Sequence, residues 1–309
     1  MQKKYLKNGF SIPLLGFGTW LMCGDKVRNM KNDDRIDIKS IQTAIDNGVT
    51  HIDTSEYYAQ GHVEKIIGEA IKNYNRKRLF ITSKAIPINL GYKNLIKSAH
   101  SSLKRLNTDY FDLYLIHSPN LFIPIKETMK AMDHLINNGF TRSIGVCNFT
   151  VSRLETAQNY AQNKIVVNQV NYNLIIREIE RKNILGYCQN NDIMIIAWAP
   201  LQKGILAKNN SSVMKKICKK YEKTPAQIAL NWLISQKNVV TISKMRNKKN
   251  LIENLGTLGW KMENSDIEYL RSNFPNVKYL SDTIPLEYDK FLKSYISNWV
   301  KSKNNSGHE

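Results

Sequence analysis

Residues 143–170 read SIGVCNFTVSRLETAQNYAQNKIVVNQV. A short apolar run, Ser143–Cys147, opens the stretch. Val151, Leu154, Ala157 and Ala161 then recur at nearly helical spacing. A second apolar run follows at Val166–Val170. Strand, helix and strand in so short a span form one β/α unit, and strands that are apolar on both faces suit a parallel sheet covered by helices.

The same alternation continues in both directions. Further strands are expected at Leu14–Gly18, His51–Thr54, Leu79–Ser83, Phe111–His117, Ile193–Trp198 and Val239–Ile242. Helical spacing covers Asp34–Asn47, Val63–Tyr74, Tyr92–Leu106, Ile125–Asn138, Val151–Ala161, Glu180–Asn190, Pro225–Gln236 and Lys248–Leu255. Thr224-Pro225 reads as a cap followed by proline at the first helical position. Eight alternations point to a closed (β/α)8 barrel of the TIM type; an open doubly wound sheet is the rival arrangement. The 309 residues accommodate such a barrel, which takes about 250 residues. No Gly/Ser-rich linker interrupts the chain, so residues 1–309 are expected to form a single domain. Lys4–Pro13 reads as an N-terminal hairpin around Asn8-Gly9, placed to plug the barrel bottom. After Pro275 a C-terminal helical extension is expected over Glu287–Val300, ending in the polar Lys301–Glu309.

Composition narrows the function. Hydrophobic residues make up 42% of the chain, enough for a large core and too many for a disordered one. Lys and Arg outnumber Asp and Glu by 45 to 26, a net charge of +19. The basic residues are scattered, with short clusters at Arg76-Lys77-Arg78, Lys215-Lys216, Lys219-Lys220 and Lys248-Lys249. That spread argues against a nucleic-acid partner and for a diffuse field favouring phosphate-bearing ligands. Cys23, Cys147, Cys188 and Cys218 show no CxxC or metal-ligand spacing, as expected of free thiols in a reducing, cytoplasmic protein. No apolar run of about 18 residues is present, so no membrane partner is expected.

Functional side chains of such barrels lie where strands end, on the C-terminal face. There the sequence places Asp53, Lys84 and His117, with Tyr57 and Tyr58 in the loop after the second strand. Taken singly, each has a plain structural reading: a helix cap, a solvated lysine, a satisfied histidine, a packing tyrosine. Their coincidence on adjacent strands is what carries weight.

The run His51-Ile-Asp-Thr-Ser-Glu-Tyr-Tyr58, continuing to Glu64 and Gly68-Glu69-Ala70-Ile71, resembles the aldo-keto reductase signature. So do Ile81-Thr-Ser-Lys84, Asp112-Leu-Tyr-Leu-Ile-His117, Ile144-Gly-Val-Cys-Asn-Phe149 and Thr224-Pro-Ala-Gln-Ile-Ala-Leu-Asn-Trp232. The resemblance runs from about Ile12 to Asn254. It implies a nicotinamide-dependent reductase of an aldehyde or ketone, with Asp53, Tyr58, Lys84 and His117 catalytic. In that reading Tyr58 is the acid, Lys84 stabilises its tyrosinate and lowers its pKa, Asp53 orients Lys84, and a neutral His117 holds the carbonyl oxygen. Trp20 and Ser118 would line the substrate pocket, Ser118 standing where the family often has Trp. Leu121-Phe122 would add an apolar wall.

The resemblance also implies the cofactor contacts. Asn148 and Gln169 would meet the nicotinamide carboxamide, and Trp198 would stack on the ring. Gly18, Thr19, Ala199 and Leu201 would lie alongside. Lys244 and Arg246 would meet a 2′-phosphate, and Glu253 and Asn254 the adenine. Cys147 replaces the usual Ser before Asn148. Asn250 replaces an Arg that many members carry, which weakens the preference for the phosphorylated cofactor; NADPH is still favoured over NADH. Gly16-Phe-Gly18 does not extend to a Rossmann fingerprint, because Leu21 stands at the third glycine position.

Three rival expectations stay open. The chain would act as a monomer or weak homo-oligomer. A regulatory subunit of this fold, like the potassium-channel β subunits, would keep the same four residues and turn over slowly. A barrel of unrelated chemistry would use Lys84 as a Schiff-base nucleophile.

Overall fold

Eight parallel strands form a closed barrel, flanked in sequence by a small antiparallel hairpin and surrounded by helices. The computed structural model describes residues 1–277 together with 300, 301 and 304. The hairpin comprises β1 (Lys3–Tyr5) and β2 (Ser11–Pro13), with Lys4 opposite Ile12. Its turn places Gly9 at φ +89°.

The barrel strands are β3 (Leu15–Gly18), β4 (His51–Asp53), β5 (Phe80–Ala85), β6 (Leu113–Ile116), β7 (Ile144–Cys147), β8 (Ile165–Asn171), β9 (Met194–Trp198) and β10 (Val239–Ser243). They neighbour one another in chain order, and β10 pairs with β3 to close the ring. Around them run α1 (Asp34–Asp46), α2 (His62–Ile71), α3 (Tyr92–Leu106), α4 (Ile125–Asn137), α5 (Val151–Tyr160), α6 (Glu178–Arg181), α7 (Ile184–Asn190), α8 (Ser212–Tyr221), α9 (Pro225–Ile234), α10 (Lys248–Leu255) and α11 (Asn264–Asn273). The Thr224 hydroxyl and the Gln227 amide close a reciprocal cap at the start of α9, with Pro225 in its first turn.

Side chains of a strand alternate between its two faces. One apolar cluster accordingly fills the lumen: Leu113 and Leu115, Val167, Met194 and Ile196, and Val240 and Ile242. The intervening residues, such as Ile195 and Ala197 of β9, pack against the helices. Leu6 and Ile12 of the hairpin segment belong to the lumen cluster, so the hairpin closes that end of the barrel. Lys4 Nζ ties it to the Val239 carbonyl at 2.6 Å. Alternation then makes the last inward residue of each strand a residue of the opposite mouth.

The observed elements depart from the sequence reading at several points, and one expected element lies outside the described residues. The helix expected over Glu180–Asn190 is two helices, α6 and α7, because Asn183 between them has φ 55°, outside the right-handed region. The pattern did not single out α8 or α11. The Ser211 hydroxyl caps α8 by accepting from Met214 N at 3.3 Å. The third barrel strand runs to Ala85 rather than Ser83, so Lys84 lies inside it. The tail helix expected over Glu287–Val300 falls outside the described residues, apart from Val300.

The lumen leaves no room at Gly145 of β7. A Cβ there would stand 2.7 Å from Leu115 Cδ2 and 2.8 Å from the Val167 carbonyl oxygen. Gly145→Ala should destabilise the protein by about 1–3 kcal/mol, the usual cost of overpacking. A lowered denaturant midpoint would register it.

Candidate active site

The mouth is built from strand ends. Asp53 is the last inward residue of β4, and Lys84 the last of β5; both are essentially without solvent exposure. Their register, with Asp53 beside Thr82, brings Lys84 Nζ to 2.5 Å from Asp53 Oδ1. Lys84 also donates to the Thr54 carbonyl at 2.8 Å and stands 3.4 Å from the Tyr58 hydroxyl. Tyr58 opens the tight turn Tyr58–Gly61, within which Ala59 and Gln60 adopt left-handed backbone angles. That turn folds the buried ring back over Lys84, whose ammonium is 5.2 Å from the ring centre.

His117 follows β6 directly, and its backbone N–H donates to the Ala85 carbonyl at 2.9 Å. Its ring meets that of Tyr58 edge-on at 5.7 Å, and its Nδ1 lies 2.9 Å from Ser55 Oγ. Trp20 stacks on Tyr57 at 6.0 Å and leans on Tyr58 at 4.9 Å. Asp53, Tyr58, Lys84 and His117 thus form one contiguous cluster walled by aromatic rings.

Electrostatics in the cluster follow from burial and proximity. Burial alone would pull the Lys84 ammonium down, but the Asp53 carboxylate and the Tyr58 hydroxyl together hold its pKa above the ordinary value. Burial pushes Tyr58 up to about 12, with Lys84 acting in the opposite direction. Lys84 therefore acts on Tyr58 in the expected sense, but desolvation of the tyrosinate outweighs it and the net shift is upward. Burial, reinforced by Lys84, lowers His117 to about 3, so its imidazole is neutral at physiological pH.

A second set of side chains rims the mouth on the far side. Gln169 of β8 donates through Nε2 to Asp53 Oδ2 at 2.8 Å. Among the described residues, its Oε1 accepts a hydrogen bond from the Cys147 thiol alone, at 3.9 Å. Asn148 has φ 59°, and its Oδ1 accepts from Trp198 Nε1 at 3.2 Å. At the end of β10, Lys244 Nζ donates to the Leu21 carbonyl at 3.2 Å. Arg246 Nε stands 2.5 Å from Asp37 Oδ1 of α1.

Known proteins resemble this chain along most of its length. Residues 14–273 match the model of the aldo/keto reductase family. A methylglyoxal reductase of Escherichia coli is 33% identical over 90% of this chain and 97% of its own. A glyoxal reductase of Bacillus subtilis is 35% identical over 85% of this chain and 89% of its own. The chain belongs to the aldo-keto reductase family. Among solved structures, a thermostable aldo-keto reductase in complex with the inhibitor epalrestat superposes with a TM-score of 0.85 at 41% identity, covering 88% of this chain and 99% of that one. A Klebsiella pneumoniae aldo/keto reductase in complex with NADP and acetate gives 0.78 at 28% identity, covering 90% and 98%.

Within this aldo-keto reductase, other residues named from the sequence are held in less obvious ways. Thr19 is fully buried, and its hydroxyl donates to the Asp53 carbonyl at 2.9 Å, beside Gly18 at the end of β3. Asn254 is buried, and its amide donates to Ser243 Oγ at 3.2 Å. Glu253 is half-buried on α10, and Ser118 half-buried beside His117. Ala199, at φ 52°, and Leu201 form the turn after β9. Leu121 and Phe122 are 78% and 95% exposed, so they stand out from the protein surface rather than forming a packed wall.

The sequence reading assigned nothing to Ser55, the partner of His117, nor a contact to Tyr57, although both sit inside the quoted motif. Doubled tyrosines beside a candidate site were a usable signal for Tyr57. Asp37 gave none, since its pairing with Arg246 joins opposite ends of the chain.

His51, in the lumen, is also held neutral, with burial lowering it to about 4. Both imidazoles resist protons that the unfolded chain takes up below about pH 6.5. Stability should therefore be undiminished by them above pH 6.5 and fall as pH drops from there toward 4. The imidazole NMR signals of His51 and His117 should not titrate above pH 5.

Proposed function

We propose that this aldo-keto reductase reduces an aldehyde or ketone to the alcohol, with Tyr58 as the proton donor and NADPH preferred over NADH. The observation that carries the proposal is the chain of contacts from Asp53 through Lys84 to Tyr58, with a neutral His117 facing the same space. A bound nicotinamide cofactor supplies the hydride that no side chain can provide.

The donor chemistry around the mouth suits such a cofactor. Gln169 spends its NH2 on Asp53 and keeps its carbonyl oxygen for an amide N–H. Asn148 spends its oxygen on Trp198 and keeps its NH2 for an amide carbonyl. Together they complement a primary carboxamide, which offers one donor group and one acceptor. Trp198 supplies a flat apolar face next to them. Lys244 and Arg246 would hold a 2′-phosphate, and Glu253 and Asn254 the adenine. Gly18, Thr19, Ala199 and Leu201 would border the binding path.

On the substrate side, a buried Tyr58 with a raised pKa keeps its proton until negative charge grows on the carbonyl oxygen. The adjacent ammonium of Lys84 then stabilises the tyrosinate that proton transfer leaves behind. Asp53 keeps Lys84 charged and aimed. Ser55 Oγ accepts from Tyr57 N at 3.1 Å, donates to the Lys84 carbonyl at 3.3 Å and stands 2.9 Å from His117 Nδ1, which fixes the plane of the imidazole. In the tautomer with its proton on Nε2, the neutral imidazole would donate to the carbonyl oxygen. Trp20, Tyr57 and Ser118 would line the pocket. The names of the two bacterial relatives make methylglyoxal and glyoxal the first substrates to try. Four unpaired thiols support action in the reducing cytoplasm.

The test is aldehyde-dependent oxidation of NADPH. Tyr58→Phe should lower kcat by about 10²–10⁴-fold, the usual range for loss of a general acid, while NADPH binding followed by fluorescence stays intact. Comparable turnover in that variant would refute the assignment. Arg246→Ala should weaken NADPH by about tenfold, since a charge-assisted hydrogen bond is worth about 1.5–3 kcal/mol, and leave NADH nearly unchanged.

A further inference from the structure

Outside the catalytic mouth, three different metal-binding side chains converge from three separate segments. Cys23 comes from the loop after β3, Asp34 from the first turn of α1 and His62 from the first turn of α2. Their ligand atoms, the Cys23 thiol sulfur, an Asp34 carboxylate oxygen and a His62 ring nitrogen, all lie within 4.8 Å of one another. We propose that Cys23, Asp34 and His62 bind a zinc(II)-type divalent cation that braces the loop after β3 against the start of α2.

Several features favour this site over an ordinary hydrogen-bonded knot. The set combines sulfur, imidazole nitrogen and carboxylate oxygen, the donors that tetrahedral zinc accepts. Bonds of about 2.0–2.3 Å to such ligands require the Cys23 sulfur to draw in and the His62–Asp34 pair, now 2.7 Å apart, to open. The anionic surroundings are already assembled. Asp37 Oδ2 lies 3.3 Å from Cys23 Sγ, and Asn32 Nδ2 bridges Asp34 Oδ1 at 3.0 Å and Asp37 Oδ2 at 2.8 Å. Without a cation, the Cys23 thiol directs its proton to Asp37 Oδ2. A cation would replace that proton, which leaves to solvent, and would turn the neighbouring carboxylates from repulsive to attractive.

Competing contacts at the site are replaceable. His62 Nε2 lies 2.7 Å from Asp34 Oδ2, so a cation would replace this hydrogen bond and part the two atoms. Arg28 Nη2 also reaches Asp34 Oδ2, at 3.0 Å, from a side chain that is 37% exposed. Its Nε is buried without a hydrogen-bond partner, so Arg28 is incompletely satisfied where it lies and has solvent to move into. Asp34 and His62 retain 24% and 16% side-chain exposure, which opens the site to a cation from solution while Cys23 closes its floor.

The consequence would be mechanical. His62 follows the turn that holds Tyr58, and Ala59 N in that turn already donates to the Asp25 carbonyl at 2.9 Å. A cation would add strong bonds in parallel with that single hydrogen bond.

The experiment uses the full-length, chelator-treated protein. Zinc is titrated against a chromophoric chelator, and cobalt(II) serves as the spectroscopic probe. One equivalent should bind, with a thiolate-to-cobalt charge-transfer band in the near ultraviolet. Cys23→Ser should abolish that band, and Cys23→Ser and His62→Ala should each weaken zinc by at least about tenfold. Far-ultraviolet circular dichroism checks that each variant folds; if Cys23→Ser does not, Asp34→Asn and His62→Ala carry the comparison. Absence of stoichiometric binding by the wild-type protein, or binding unchanged by the substitutions, would overturn the proposal.

Discussion

The mouth of the barrel is organised around one ion pair that water does not reach. Lys84 and Asp53 are each essentially unexposed and stand 2.5 Å apart. An unpartnered charge at such a depth would cost several kcal/mol, so each residue is tolerable only because the other is there. The pair depends on the register of β4 against β5, since a one-residue slip would turn Lys84 toward the helices. Remaining donors and acceptors of the pair go to the Thr54 carbonyl, the Tyr58 hydroxyl and the Gln169 amide. Backbone, phenol and amide are thereby fixed by one contact.

Gln169 connects the two sides of the mouth. Its amide touches Asp53 at one end and, through the Cys147 thiol at 3.9 Å, the strand that precedes Asn148 at the other. A weak thiol in that position leaves the Gln169 oxygen less committed than a hydroxyl would. Across the mouth, Arg246 is engaged by Asp37 and by Asn32, whose Oδ1 accepts from Nη2 at 3.0 Å. A phosphate bound there would have to share the guanidinium with a buried carboxylate.

Much of this was legible along the chain because it depends on short-range periodicity. Short apolar runs alternating eight times with stretches of helical spacing pointed to the barrel, and the strand ends pointed to Asp53, Lys84 and His117. Tyr58 was legible as part of the motif after the second strand. Other features depend on contacts between distant residues. The break at Asn183 turns on a single backbone angle that apolar spacing does not register. The upward pKa of Tyr58 is a balance in which burial outweighs Lys84, and burial is a property of the folded whole. Asp37 looks like any acidic residue in a first helical turn until α1 is laid beside the end of β10.

The hairpin at the opposite end has a consequence for traffic. Leu6 and Ile12 belong to the apolar plug, and Lys4 is fastened to the last turn before β10. The barrel therefore has a blind end, and whatever occupies the mouth has one doorway for arrival and departure. Two occupants stacked in such a well behave as a queue in reverse: the one seated deeper enters first and leaves last.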